Sequence, residues 1–500
     1  MADDAYSRPA LFVHGAPLPH RSALANSALM AALRVHWQLV AVSGRTTFIT
    51  NRGPTLVERG FRALDRKLFG RGRWQIAKHE FGDAPITEPT AQSLDWQLSW
   101  DRAATLPPGT DALCVEFEGR PMSDLEEAAR LRIGQRGGIL NAQVWRLRDG
   151  HADELLMVGG LRLDHRSLHR SVVLCAAKIP QLLIGALARR QHPGAHGGDA
   201  ASQSSTPLSA LALIGRIART SLRWLLFREQ WQTEVGRSAD AAPSLGDTVA
   251  ELRSPDAAWW ADPFLLRVGQ RTWVLFEELL LGSQRGHISA LEIDDTGRAL
   301  STAKVVLREP WHLSYPFIWH EAGRTFMLPE AGNSGQLTLY EAVDGALEWQ
   351  RSAVLLSGVR LADATVVAFD GRLWMFATTA DPGALMDDAL NIYWAARIEG
   401  PWHAHTMNPV KIDARSARPA GSMWVRDDVL FRVVQDCSST YGGSTVCMRV
   451  LKLTEYEFQE EPVPEWARLK AKQKDPWHTF NSIGNLNVID RLVRRPRWQK

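Results

Sequence analysis

Carboxylic acids stand at the ends of apolar segments in the second half of this 500-residue chain. Asp262 opens one such segment, Glu330 closes another, and Asp363 opens a third. Two carboxyl groups held near each other can do acid and base work on a glycosidic bond. These three residues are the candidate catalytic residues. Asp262 is assigned as base or as stabiliser of positive charge at an anomeric carbon, and the other two would hold sugar hydroxyls or share the proton transfer.

Other polar and aromatic residues stand near the same segment ends, where they could bind a polyhydroxylated ligand. Carboxylates accept hydrogen bonds from sugar hydroxyls, and tryptophan can stack on sugar rings. Arg418 is expected to pair with a phosphate leaving group. His312 either donates to the same phosphate or is a structural histidine. The candidate substrate-binding residues are Trp260, Glu278, His312, Tyr315, Arg418 and Asp436.

Repeated hairpins would position these residues. Each consists of an apolar strand, a tight turn and a second apolar strand, and they recur about every 50–60 residues, a spacing typical of propeller blades. The second strand of a hairpin runs back antiparallel, so its end returns to the face where the first began. The polar residues are therefore predicted at one mouth of a β-propeller. The four copies are Asp262–Glu278, Tyr315–Glu330, Asp363–Thr379 and Gly421–Asp436.

Closing such a ring requires a further blade, because an open arrangement would leave strand edges exposed. Either Gln230–Val235 or the segment around His478–Asp490 could supply it. A structural interpretation of the site residues also stays open, since each strand-end aspartate could cap a turn or tie two blades together. Several buried carboxylates around one channel repel each other unless a ligand or a cation uses them, which favours a binding site.

The chain is too long for one hydrophobic core, so two domains are expected. Residues 1–190 mix strand-like and helical patterns, which predicts an α/β domain. Residues 191–229 form a linker followed by an amphipathic helix, and residues 230–500 form the propeller. The predicted fold class is thus an α/β N-terminal domain plus an all-β five-bladed β-propeller.

The helix predicted at 208–228 is basic as well as amphipathic. It could make a peripheral contact with a membrane surface, but packing of its apolar face on its own domain is favoured. The segment Val172–Ala188 is apolar but short, and it carries Lys178 and Pro180. It is predicted to be a buried helix rather than a membrane span.

The overall charge excludes one class of partner. The formal net charge of +3 is nearly neutral for this length and predicts no nucleic-acid partner. The N-terminus MADDAYSRPALFVHG lacks a basic region followed by an apolar core, so a signal peptide is not expected. A cytoplasmic location is predicted, with membrane-peripheral attachment left open. The oligomeric state is not determined.

The sequence motifs in this half of the chain resemble those of two known protein families. WWADPF at 259–264 followed by WVLFEE at 273–278 resembles the five-bladed propellers of arabinanase- and invertase-type glycosidases, which implies a base or nucleophile at Asp262. Residues 230–490 more closely resemble the N-terminal propeller of glucosamine inositolphosphorylceramide transferases and their bacterial relatives. The motifs that carry this resemblance are SYPF, MLPE, ADAT, Asn408-Pro409, ARPAG, QDCS and YGG.

The chain departs from the glycosidases at two positions. Ser314-Tyr315 stands where a second Asp is expected, and Asp363 stands where a Glu acid is expected. The upstream region resembles formyltransferases, including RALDRKLFGR at 62–71. It lacks a histidine two residues after an asparagine in a suitable loop, and Asn141 is a poor substitute. It is interpreted as a degenerate formyltransferase-like domain.

The leading functional prediction is a glycosyltransferase-type enzyme of surface glycan or glycolipid biosynthesis, acting on a sugar or nucleotide sugar at the propeller mouth. A non-catalytic sugar-binding module and a glycoside hydrolase are the alternatives. No metal and no cofactor are predicted. The sequence identifies neither donor, acceptor nor linkage.

Overall fold

The computed structural model describes most of the chain from residue 111 onward and short stretches before it. The chain divides into two compact units, Met1–Leu222 with Asp381–Leu385, and Arg223–Ala380 with Met386–Lys500. The described residues are 10–14, 38–43, 96–99, 102–103, 106, 111–135, 138–190, 210–238, 247–280, 282–283, 285–381, 384–466, 477–496 and 498.

The described part of the first unit contains both strands and helices. Strand β1 pairs in parallel with β2 and β3, and β3 pairs in parallel with β4, whereas β4, β6 and β7 are antiparallel neighbours. The elements are β1 (Ala10–His14), β2 (Gln38–Ser43), β3 (Trp96–Ser99), β4 (Asp111–Phe117), β5 (Arg120–Pro121), a 3-10 turn (Met122–Asp124), α1 (Leu125–Gly134), β6 (Ile139–Arg148), β7 (Glu154–Arg162), α2 (Leu168–Ala176), α3 (Ile179–Arg190) and α4 (Ala210–Leu226).

Much of the predicted N-terminal domain lies outside the described residues. This applies to the helix predicted at Ser22–Arg34, to RALDRKLFGR at 62–71 and to the linker at 191–207. The α/β class of residues 1–190 and their formyltransferase-like origin therefore stay predictions, as do the domain limits.

The apolar segment around α2 and α3 is mostly buried. Among the described residues, Leu168–Arg189 is the one helical stretch long and apolar enough to cross a membrane by length and composition. Core helices pass the same test, and 83% of its apolar window is buried inside the protein.

The second unit is built from antiparallel strands. Alternating apolar residues and tight turns produce them, as in Arg271–Leu280, where the sequence RTWVLFEELL buries Trp273 to Phe276. The strands are β8 (Phe227–Arg237), β9 (Asp247–Leu252), β10 (Ala258–Val268), β11 (Arg271–Leu280), β12 (His287–Ile293), β13 (Lys304–Leu307), β14 (Ser314–Glu321), β15 (Arg324–Glu330), β16 (Gln336–Asp344), β17 (Glu348–Ser357), β18 (Leu361–Phe369), β19 (Arg372–Thr379), β20 (Ala389–Ala395), β21 (His403–Ala404), β22 (Lys411–Asp413), β23 (Trp424–Arg426), β24 (Val429–Gln435), β25 (Thr445–Leu453), β26 (Phe458–Pro462), β27 (Trp477–Ile483) and β28 (Leu486–Pro496).

These strands form a β-propeller-like arrangement. Four separate four-stranded sheets are present, β10–β13, β14–β17, β23–β26 and β27-β28-β8-β9. Strands of neighbouring repeats lie side by side. The first strand β10 contacts the first strands β14 and β27, and β14 contacts β18, whereas the fourth repeat meets β27 through its second strand, β24. Both segments proposed to close the ring are used, because β8 pairs with β28 in a single sheet.

The count of four complete sheets differs from the five blades predicted. In the third repeat, β18, β19 and β20 pair as expected, but the outer position holds only β21 and β22, two short strands that pair with opposite ends of β20. Pro409 between them has no N–H to donate to a ladder, which prevents one continuous strand.

The Asn408-Pro409 pair has a structural function between the short strands β21 and β22. The Asn408 Oδ1 accepts a hydrogen bond of 2.9 Å from the Ile392 N–H, and its Nδ2 donates one of 2.8 Å to the Ile392 carbonyl. The side chain thus satisfies the Ile392 N–H and adds a second donor, beside the His405 N–H, to the Ile392 carbonyl.

Tyr315 connects three repeats through its hydroxyl. The fully buried phenol contacts the Thr365 hydroxyl at 2.8 Å and accepts a hydrogen bond of 2.7 Å from the Gly421 N–H. Its ring packs edge-on against Phe264 at 4.9 Å between centroids.

Tyr315→Phe is expected to lower the free energy of unfolding by about 1–3 kcal/mol, because it leaves the buried Gly421 N–H without an acceptor. Urea unfolding followed by tryptophan fluorescence measures this. Tyr456→Phe, at a side chain that is 52% exposed, is the control and should change little. Equal stability of the two variants would contradict the connecting function of Tyr315.

Candidate active site

The first strands of three repeats bulge at equivalent points. Pairing in β10, β14 and β18 shifts register at Ala261/Phe264, Ser314/Phe317 and Ala362/Thr365. Each bulge holds one non-glycine residue with positive φ, at 51°, 45° and 53° respectively. Such conformations persist only where the surroundings impose them, and bulges redirect side chains next to functional sites. The residues concerned are Asp262, Tyr315 and Asp363.

A cavity of about 230 Å³ opens beside the first of these bulges; we call it the mouth pocket. Three predicted site residues line it: Asp262, His312 and Glu330. Asp262 and Glu330 therefore line one cavity, and Asp363, which was expected to line the same cavity, is not part of its lining. The remaining lining residues are Trp231, Trp259, Ala261, Glu277, Leu279, Ser314, Tyr441 and His478.

Two carboxyl groups in the mouth pocket have raised pKa values. Burial, and then the negative charges of Asp490, Asp363 and Glu277, raise the pKa of Asp262 well above its ordinary range. Burial, together with Glu330, raises the pKa of Glu277 to about 8. Because their negative charges repel each other, the two groups do not both ionise readily, so the pair keeps a proton at neutral pH and can donate it.

Asp262 has one carboxylate oxygen without a hydrogen bond. Its backbone N–H donates to Asp490 Oδ2 at 2.9 Å, but its own Oδ1 is buried and has no hydrogen-bond partner. The nearest ring nitrogen, His478 Nδ1, lies 3.3 Å from that oxygen. The same nitrogen lies 3.1 Å from Asp490 Oδ2 and donates its hydrogen bond to that oxygen. A buried unpaired carboxylate oxygen beside an open cavity is available to a ligand.

Asp490 fixes the orientation of His478. The Thr479 N–H and hydroxyl donate to Asp490 Oδ1 at 2.7 and 2.8 Å. Burial opposes its charge, but His478 and these hydrogen bonds outweigh that effect and lower the pKa of Asp490. The other ring nitrogen of His478, Nε2, is buried and has no hydrogen-bond partner.

The same three side chains could hold a cation. Ligand atoms of Asp262, His478 and Asp490 all lie within 4.8 Å of one another, and among the described residues they are the one group of at least three that meets this condition. Carboxylate oxygen and imidazole nitrogen suit several divalent ions. The expectation that the site needs no metal stays a prediction.

Arg418 is a buried counter-ion rather than a ligand for a phosphate. Its Nε donates to Asp363 at 2.5 Å, and its NH2 donates to Asp363 and Glu330, both at 3.1 Å. Its remaining nitrogen lies 3.3 Å from the Met386 carbonyl. All its nitrogens are engaged, which is at odds with the predicted pairing with a leaving group.

Asp363 lies beneath the mouth pocket with Arg418. Burial raises the pKa of Asp363 to about 7 against the lowering effect of Arg418. Gln435 Nε2 also donates to it at 2.9 Å. The Arg418 guanidinium lies 5.0 Å from the centre of the Tyr441 ring, so it supports one wall of the pocket.

His312 orients the Glu277 carboxyl group. Its Nδ1 accepts a hydrogen bond of 2.8 Å from the Gly286 N–H, which leaves the proton on Nε2, 3.3 Å from Glu277 Oε1. Burial lowers the pKa of His312, so the ring is neutral at neutral pH. Of the two predicted functions, donation to a ligand phosphate and a structural contact, this geometry favours the second.

Four predicted binding residues lie away from the mouth pocket. Glu278 accepts hydrogen bonds from Trp260, His287 and Ser289, which lower its pKa to about 2. Successive side chains of a strand point to opposite faces, so Glu277 faces the pocket and its neighbour does not. Asp436 accepts from the Ser438 N–H in a turn, and Tyr315 is fully buried. The four residues are Trp260, Glu278, Tyr315 and Asp436.

Several residues of the pocket were missed as site residues in the sequence. Trp231 stacks on His478 at 4.2 Å between centroids, although the two belong to distant segments of the chain. The YGG motif is a signal that could have located them, because a Cβ on Gly442 would come within 2.5 Å of the His478 ring and 2.7 Å of Trp231. The pocket residues missed are Trp231, Trp259, Tyr441 and His478. Asp490 was also missed; it contacts Asp262 and His478 but is not part of the lining.

Known proteins share this propeller. The chain is 33% identical over 221 residues to "Glucosamine inositolphosphorylceramide transferase 1" of Oryza sativa subsp. japonica, covering 44% of this chain and 30% of the relative. It is 31% identical over 261 residues to the protein of the same name from Arabidopsis thaliana, covering 52% and 34%. The chain thus spans about a third of the length of these relatives.

A solved structure with a weaker similarity is an exo-β-1,3-galactanase from Clostridium thermocellum. It is 10% identical, with a TM-score of 0.34, over 43% of this chain and 52% of the galactanase. Residues 220–490, more than half of the chain, match the protein family "Glucosamine inositolphosphorylceramide transferase 1, N-terminal". This confirms the resemblance seen in the SYPF-to-YGG motifs, and the chain belongs to that family.

Proposed function

We propose that the mouth pocket transfers a glycosyl group, in the synthesis of a glycolipid or a surface glycan. The rice and Arabidopsis relatives are named as glucosamine inositolphosphorylceramide transferases. A sugar or nucleotide sugar is therefore the proposed donor, and a lipid-linked polyol is the proposed acceptor. The predicted cytoplasmic location remains part of this proposal.

Two carboxyl groups would divide the proton transfers. The reactive form of the pair would carry one proton, on Glu277, with Asp262 ionised. An acceptor hydroxyl attacks the anomeric carbon and gives its proton to Asp262, while Glu277 donates its proton to the leaving oxygen. Glu330, which lines the pocket, would hold sugar hydroxyls, and Trp231, Trp259 and Tyr441 would pack on the sugar ring. With water in place of the acceptor hydroxyl, the same pair would hydrolyse the substrate.

The observation that carries this proposal is the unpaired Oδ1 of Asp262 in the same pocket as Glu277. A structural carboxylate would have its oxygens satisfied, as those of Asp490 are. The second candidate function is sugar binding without catalysis. It is favoured by the three aromatic lining residues and by the engagement of Arg418 in internal ion pairs, because none of the described residues that line the pocket is an arginine that could pair with a leaving phosphate.

A turnover assay tests the proposal directly. Nucleotide sugars are offered with inositol phospholipid acceptors, aryl glycosides are offered as hydrolytic substrates, and affinities for the same sugars are measured by calorimetry. Formation of a glycosylated lipid supports transfer, and release of free sugar alone supports hydrolysis. Binding without any product supports the second candidate and contradicts catalysis.

The pKa of Glu277 predicts the pH dependence of that turnover. Its acid form is present below about pH 8 and is lost as the pH rises, so kcat/KM should fall about tenfold per pH unit above that value. Glu277→Gln should lose roughly 10²–10⁴-fold in kcat. Glu278→Gln, at the neighbouring carboxylate that faces away from the pocket, should keep both the rate and the alkaline fall. A rate that rises through pH 8 would contradict Glu277 as the acid.

A further inference from the structure

The end of the propeller at which β8 begins and β28 finishes exposes apolar and basic side chains together. Leu225 is 61% exposed, Leu226 is 39% exposed and Trp498 is 68% exposed. Phe227, next in the chain, holds Trp498 at 6.1 Å between ring centroids. We call the surface formed by Leu225, Leu226, Trp498, Arg223, Arg494 and Arg495 the tip patch.

The charge of the tip patch is positive. Its three arginines are exposed. The paired strand ends comprise residues 227–230 and 493–496. Their sequence contains three basic residues, Arg228, Arg494 and Arg495, and one acidic residue, Glu229. Leucine and tryptophan side chains bordered by arginine are the composition that binds the interface of a bilayer with anionic lipids.

Strand β8 connects the tip patch to the mouth pocket. Gln230, Gln232 and Thr233 line a second cavity of about 380 Å³, the outer cavity, together with Arg495 from the tip patch. Trp231 lines both the outer cavity and the mouth pocket. At about 3.3 Å per residue, Phe227 and Trp231 are roughly 13 Å apart along the strand. The tip patch, the outer cavity and the mouth pocket thus follow one another within a few residues of β8.

The outer cavity has unused hydrogen-bonding capacity. Thr233 is 1% exposed, and its hydroxyl has no hydrogen-bond partner. The Gln230 Oε1 is likewise buried and unpaired. Polar atoms in that state are expected to find a partner in a ligand or in ordered water.

We propose that the tip patch docks the protein on an anionic bilayer, and that docking brings the outer cavity to lipid head groups. The second half of this statement rests on the proposed function, and the first half does not. A second copy of the chain fits the patch less well, because a symmetric contact would set arginines against arginines, whereas anionic lipids neutralise them.

Vesicle binding of the full chain tests the docking. The chain is mixed with phosphatidylcholine vesicles that contain either no phosphatidylserine or about 30% of it, and bound protein is measured by flotation. Binding is expected only with the anionic vesicles, and it should fall at least about tenfold when the salt is raised from about 0.1 M to about 1 M. Equal binding to both vesicle types, or binding to neither, would overturn the proposal.

Substitutions in the tip patch test whether this surface makes the contact with the vesicles. Leu225→Glu combined with Trp498→Ala should weaken binding at least about tenfold, since it removes the inserted side chains and adds a negative charge. Leu300→Glu is the control, because Leu300 is equally exposed, at 61%, in another part of the propeller. Thermal unfolding verifies that each variant is folded. Unchanged binding of the double variant would overturn the assignment.

Two further measurements separate the remaining outcomes. Asp262→Asn should bind vesicles like the unaltered chain, so a failure of the proposed catalysis leaves the docking test intact. Light scattering gives the oligomeric state of the chain and of the double variant. A dimer that the double variant abolishes, without vesicle binding by the unaltered chain, would assign the patch to a second copy instead.

Discussion

Asp262→Asn is expected to reduce turnover by roughly 10²–10⁴-fold while the sugar still binds. The substitution keeps the size of the side chain and most of its hydrogen bonding, but the amide cannot take a proton from an acceptor or stabilise a developing positive charge. A pure binding site should lose only about 0.5–1.5 kcal/mol of affinity when one acceptor is altered. The turnover assay and calorimetry on the same variant provide the two numbers.

Asp436→Asn is the matched control for this experiment. Asp436 was also predicted to bind the substrate, but its carboxylate accepts a backbone hydrogen bond in a turn at the end of the fourth hairpin. Turnover of this variant should stay within about twofold of the unaltered chain. Small and equal losses in turnover and affinity for Asp262→Asn would make Asp262 a contact only, and the acid–base proposal would then fail.

Arg418→Met is expected to lower the free energy of unfolding by about 3–5 kcal/mol. The arginine side chain is 7% exposed and neutralises Asp363 and Glu330, whose side chains are 1% and 10% exposed. Removing it leaves both carboxyl groups buried without their cation. The change is measured by urea unfolding, and the loss should be partly restored when Asp363→Asn is added, since the amide carries no charge to be stabilised.

Arg324→Met is the matched control for burial. Arg324 also bridges two carboxylates, Glu341 at 2.7 Å and Glu399 at 2.6 Å, but its side chain is 44% exposed. Exposed ion pairs contribute about 0–1 kcal/mol, so this variant should unfold almost like the unaltered chain. If Arg418→Met were as mild as Arg324→Met, Arg418 would be free to serve a ligand, contrary to the geometry described above.

Local patterns in the sequence determined the repeated hairpins. Alternating apolar residues and turns such as Asp370-Gly371 depend on neighbours in the chain, so the strands from Asp262 to Gln435 could be predicted. The equivalence of Asp262 and Asp363 followed from the same repeats. The third repeat differed because Pro409 breaks its outer strand, a local signal that the count of five blades did not take into account.

Pairing between distant segments was decided by the tertiary structure. Glu277 and Glu278 are adjacent acids in the sequence, and only the strand orientation shows which one faces the pocket. Arg418 was predicted as a ligand for phosphate because a free arginine suits that function, whereas folding places it between Asp363 and Glu330. Such a pairing joins residues more than 50 positions apart, which no local pattern encodes.

The sequence by itself therefore determined the propeller class and its family, and it singled out Asp262 as a candidate site residue. The tertiary structure decided the composition of the site, because β8 and β27–β28 bring Trp231, His478 and Asp490 to the bulge that holds Asp262. The physical reason is the distance along the chain over which each effect acts. Strand periodicity and turn chemistry act over a few residues, whereas burial, carboxylate repulsion and hydrogen-bond saturation depend on which segments meet in space.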